Sequence, residues 1–100
     1  MSIPEFTKEK LLGLVRQEGP PEKSVEILVG LDRWLARGDG VAVYQNVDLS
    51  HPEIGHLQFA SFGSPEAIFP DDPPDRLPDM NGRINWRYSL IGTYRGEVLQ

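Results

Sequence analysis

Ile84-Asn85-Trp86-Arg87-Tyr88-Ser89-Leu90-Ile91-Gly92-Thr93-Tyr94-Arg95 is the stretch on which the fold turns. Its even positions are large and apolar at all but Gly92, whereas Ile91 is the one apolar residue among the odd positions. Alternation of this kind has the period of a β-strand, whose successive side chains leave opposite faces. It predicts a strand over 84–95 that turns Trp86, Tyr88, Leu90 and Tyr94 towards a core and the odd side chains towards water or a partner. Twelve residues extend about 40 Å at roughly 3.3 Å each, so a bend is expected, and Gly92 is its natural place.

The core that this strand needs is supplied upstream. Ser24, Ile27, Leu28, Leu31, Trp34 and Leu35 recur at i, i+3, i+4, i+7, i+10 and i+11, one stripe of a helix. Lys23, Glu26, Arg33 and Arg37 occupy its other side, and Gly38-Asp39-Gly40 ends it. An earlier helix carries Leu11, Leu14 and Val15 on one face. Ser2 with Glu5 has capping-box spacing, while Thr7 is an equally good cap for a later start. Gly19-Pro20-Pro21 separates the two, because proline cannot continue a helix but fits the first turn of the next. Helices are thus predicted at about 4–18 and 21–37, joined as an antiparallel hairpin.

Past Gly40 the period changes from 3.6 to 2. Val41, Val43 and Val47 alternate with Ala42, Tyr44 and Asn46, predicting a strand at about 41–47. A second follows at about 56–62, with Leu57 and Phe59 on one side and Ala60 and Phe62 on the other. The residues from 63 to 82 hold five prolines and read as one long loop. The expected architecture is a single α+β domain over 1–100, order α-α-β-β-β, its helical hairpin packed on one face of an antiparallel sheet of about three strands.

Composition narrows the function classes. Of 100 residues 39% are hydrophobic and 25% charged, the balance of a globular domain, and the longest apolar runs are far too short to span a bilayer. The opening Met1-Ser2-Ile3-Pro4-Glu5 lacks the basic and apolar regions of a signal peptide. Cysteine is absent, which excludes disulfides, thiolate metal sites and cysteine nucleophiles and suits the cytoplasm. The net charge of −5 opposes binding to nucleic acid or anionic membranes.

That charge is concentrated. Glu66, Asp71, Asp72, Asp75 and Asp79 stand against Arg76 alone, whereas Arg83, Arg87 and Arg95 follow with no acid among them. Prolines 70, 73, 74 and 78 stiffen the acidic stretch, which lowers the entropy lost on docking to another protein. Asp71, Asp72, Asp75 and Asp79, with Leu77 as an apolar anchor, are therefore the expected contacts for a protein partner. The competing expectation is that these acids pair with Arg83, Arg87 or Arg95 of the same domain.

Two other constellations offer chemistry. Asp48, His51, Glu53 and His56 combine imidazole and carboxylate, donors suited to zinc or iron, and support an alternative reading as a small metal-dependent enzyme. The spacing matches neither the helical zinc-protease motif nor the deaminase signature, which needs cysteines. Arg83, Arg87 and Arg95 interleave with Trp86, Tyr88 and Tyr94, but on opposite strand parities, which argues against a base-stacking platform. A cleft lined by the three aromatics would instead suit a small ligand. No Gly-x-Ser-x-Gly elbow or phosphate-binding glycine loop occurs. The residues favour a non-enzymatic interaction or regulatory domain without a cofactor, binding a protein partner and open to homodimerisation.

Overall fold

The computed structural model describes residues 3–47 and 56–100. Two helices, α1 (Lys8–Arg16) and α2 (Pro21–Ala36), precede four strands: β1 (Gly40–Asn46), β2 (Leu57–Phe62), β3 (Arg76–Pro78) and β4 (Ile84–Tyr94). The strands form one curled antiparallel sheet in the order β2-β1-β4-β3. The α+β class and the succession of helices before strands agree with the sequence reading, while the sheet has four strands rather than about three.

Thr7, the cap for the later start, caps α1, its Oγ1 accepting the Lys10 N–H at 3.2 Å, while Ser2 of the capping-box alternative lies outside the described residues. The residues before it run extended along β4, with the Phe6 N–H donating to Thr93 O and the Thr93 N–H to Pro4 O. Pro21 opens α2 at a position where a missing N–H costs nothing. The predicted stripe lies inward, Leu31 and Leu35 buried and Ile27, Leu28 and Trp34 half-buried. With Leu11 and Val15 they cover Val41, Val43, Leu57 and Tyr94 on one face of the sheet, and Leu99 of the carboxy-terminal segment completes this first core. That segment is tied to α2 by Asp32, whose carboxylate accepts the Leu99 and Gln100 N–H groups.

The phase predicted for β4 fails at its middle. Val43 pairs with Gly92 but Tyr44 pairs with Leu90, so Ile91 is an extra residue bulged out of register, immediately beside the expected bend at Gly92. A one-residue insertion exchanges the faces of everything beyond it. Tyr94 packs in the first core, whereas Tyr88 and Leu90 join Ala42, Tyr44, Ala60 and Phe62 in a second core on the opposite face. Trp86, expected inside, is 68% exposed, and Ile84 58%. The three aromatics consequently line no common cleft: Tyr88 and Tyr94 belong to opposite faces and Trp86 lies on the surface.

The second face is covered by the predicted loop itself. Phe69 and Leu77 pack against the second core and Ala67 is buried. Within the stretch 63–82, Arg76–Pro78 forms β3, a three-residue strand on the outer edge of β4. It is too short and too proline-rich to announce itself by alternation.

Candidate functional site

The segment between β2 and β4 is a strap that crosses the sheet from one edge to the other. Gly63 starts it with φ of 100°, a conformation glycine adopts without strain. Phe69 then pairs in parallel with the outer edge of β2, its N–H donating to Ser61 O at 3.2 Å and its carbonyl accepting the Gly63 N–H at 2.9 Å. Midway, the Tyr44 hydroxyl donates to Pro74 O at 2.9 Å, and the Leu90 N–H donates to Asp75 O at 2.8 Å. Proline is tolerated here because Pro65, Pro70 and Pro74 are exposed and lie outside the strands, so their missing N–H groups weaken no ladder, and Pro78 sits on an edge strand.

Ala67, Phe69 and Leu77 of the strap turn inward, while Ile68, Met80 and the acids face outward. Asp71, Asp72 and Asp75 are exposed, and the ion pair among the described residues is elsewhere, between Arg37 and Asp39 at 2.9 Å. The Asp71, Asp72 and Asp75 carboxylates thus stand without the intramolecular partners Arg83 or Arg95. Burial first, and the Asp75 charge second, push the Tyr44 phenol up to about 12. Asp72 shares a shallow recess of about 280 Å³ with Ile3, Phe62, Pro73, Thr93 and Arg95. The Arg95 guanidinium there lies over the Phe62 ring, 4.6 Å from its centroid.

The remaining sequence-predicted contacts have different surroundings. Asp79 Oδ1 accepts the N–H groups of Asn81 and Arg83 at 2.8 and 2.9 Å, shaping the β3–β4 turn. Leu77 is half-buried against the second core, where it anchors the strap. Arg76 lies over Trp86 at 5.4 Å from the ring centroid and donates to the Trp86 carbonyl. Met80 at the turn is fully exposed.

Asp48, His51 and Glu53 of the metal constellation lie outside the described residues. His56 is exposed and lines a cleft of about 270 Å³ with Leu14, Gln17, Glu18, Gln45 and Leu57. Glu18 Oε1 is buried and has no hydrogen-bond partner among the described residues. Among the described residues no three histidines, aspartates or glutamates gather closely enough to hold a metal ion. No described helix is long and apolar enough to cross a membrane.

Comparison with protein-family models, with curated proteins and with solved structures yields no match. The sequence reading missed Tyr44, which holds the strap, although a signal was there: Val41-Ala42-Val43-Tyr44 is apolar at both parities, the mark of a strand buried on both faces. It also missed Asp32, a lone carboxylate whose amide donors lie 67 and 68 residues away in the chain.

Proposed function

We propose that this chain is a non-enzymatic interaction domain that binds a basic protein partner through the outward carboxylates of the strap. Asp71, Asp72 and Asp75 make the principal contacts, and Asp79 contributes whatever charge its turn hydrogen bonds leave available. The observation that carries the reading is the combination of an anchored strap with acids, Asp71, Asp72 and Asp75, that form no ion pair with Arg83 or Arg95 among the described residues. Holding the backbone in place lowers the ordering entropy lost on binding, and unneutralised carboxylates steer a cationic surface towards it. Leu77 enters as the residue that fixes the strap, leaving Ile68 and Met80 as the exposed apolar groups nearest the acids in sequence. The setting proposed for this activity is the cytoplasm, a reducing compartment in which a cysteine-free chain forgoes no disulfide.

The test is affinity capture from native lysate with the parent and with the variant Asp71→Asn/Asp72→Asn/Asp75→Asn. The reading predicts a captured protein that elutes with salt and is lost from the variant, while the melting temperature stays within a few degrees. Equal capture by both chains contradicts it.

A further inference from the structure

The outer edge of β2 is half occupied. Asn46 donates to His56 O, which directs the even residues of β2 towards β1, while Ser61 O accepts from Phe69 on the opposite side. By the alternation of an antiparallel ladder, the N–H and C=O groups of Leu57 and Phe59 point away from β1 like those of Ser61. Among the described residues no backbone group meets them. The strap therefore adds a strand to this edge at Ser61–Gly63 and, among the described residues, leaves the two preceding outward-pointing residues open.

The open portion carries none of the usual protection. Leu57-Gln58-Phe59-Ala60-Ser61-Phe62 contains no charge and no proline. Beside it lies a groove of about 240 Å³ between α2 and β2, whose apolar lining is Ile27, Leu31, Trp34 and Phe59 with Gly30, and whose charged group is Glu26.

We infer that the Leu57–Phe59 edge takes up an extended segment of another protein, an apolar side chain entering the α2–β2 groove and a neighbouring lysine or arginine meeting Glu26. Each element of that description has its own cause. The row of outward N–H and C=O groups recognises a strand of any sequence, the groove selects the apolar side chain, and Glu26 with the net charge of −5 selects the cation. Phe69 already demonstrates on the same edge that a passing segment is held by these groups. The inference concerns a surface separate from the acidic strap.

The probe is an acetylated heptapeptide of alternating lysine and valine, added to the ¹⁵N-labelled Asp71→Asn/Asp72→Asn/Asp75→Asn chain so that the strap does not compete for it. Hydrogen exchange of the Leu57 and Phe59 amides is expected to slow by about tenfold or more at saturation, with little change at β1 amides already paired. The same peptide N-methylated at alternate residues keeps its side chains and must lose the effect. Gly30→Leu should abolish binding while leaving the melting temperature equal or higher, since a Cβ at Gly30 meets nothing within 4 Å and glycine is a poor helix former. Equal binding of the N-methylated peptide, or no slowing at Leu57 and Phe59, overturns the inference. So does slowing that depends on protein concentration without peptide, which would make a second copy of the chain the occupant.

Discussion

The two faces of this sheet are covered by different means. On one, α1 and α2 bring Leu11, Val15, Leu31 and Leu35 against Val41 and Val43. Helices satisfy their own backbone groups, so this face asks only for apolar stripes at the right spacing. On the other, an irregular chain does the covering and takes its hydrogen bonds from the sheet: Ser61 O and Gly63 N for Phe69, the Tyr44 hydroxyl for Pro74, the Leu90 N–H for Asp75. The helical cover is therefore autonomous and the strap dependent. An element that hangs on a few borrowed bonds can present polar groups outward wherever those bonds leave them, which suits a recognition surface.

The largest expected effect lies on the helical side. Leu31→Ala removes a side chain buried at the centre of the first core and should cost about 2–5 kcal/mol, read as a lower denaturation midpoint with a single transition. Phe69→Ala acts on the strap, where the ring is half-buried. About half of the full Phe→Ala cost, roughly 1.5–2.5 kcal/mol, is expected. Amide exchange should accelerate at Gly63 and Leu90 before it does in β1. A uniform acceleration across the sheet would show that the two covers are not separable.

Tyr44→Phe should cost about 1 kcal/mol, the worth of one hydrogen bond, since Pro74 O can turn to water. It also has a pH signature. The folded phenol titrates near 12 against an ordinary 10, so the unfolded chain releases this proton first as pH rises. The stabilisation is complete below pH 10 and is lost between 10 and 12, a decline that Tyr44→Phe should reduce. Tyr94, raised by burial and then by Glu97, Asp32 and Glu9, contributes an alkaline loss of the same sign that persists in the variant. Smallest of all, the triple aspartate-to-asparagine change should move stability by no more than about 0.5 kcal/mol, because exposed carboxylates without ion pairs contribute little to folding.

Legibility in the sequence followed the same division. Both helices, the stripe through Leu31 and the two long strands of the first hairpin were readable, because period and caps are local properties. The bulge at Ile91 was not. Its trace is the adjacent apolar pair Leu90-Ile91, which an alternating pattern tolerates as a single exception, and only the pairing with Val43 and Tyr44 shows that the phase is broken. β3 was hidden because three residues, the last of them Pro78, have no period. For the candidate site, the charge and stiffness of the strap were legible, but its direction was not. That Leu77 and Phe69 turn inward depends on the second core, which exists only once Ala42, Tyr44 and Phe62 have been placed on the far side of the sheet.

The most direct test is native-state hydrogen exchange at the Leu90 and Phe69 amides, which the strap bonds protect. The account predicts exchange well slower than in an unstructured chain, faster than at the central β1 amides, and selectively accelerated by Tyr44→Phe. Exchange of both amides at unstructured rates would contradict it, since the acids would then ride on a free loop and the second face of the sheet would lie open.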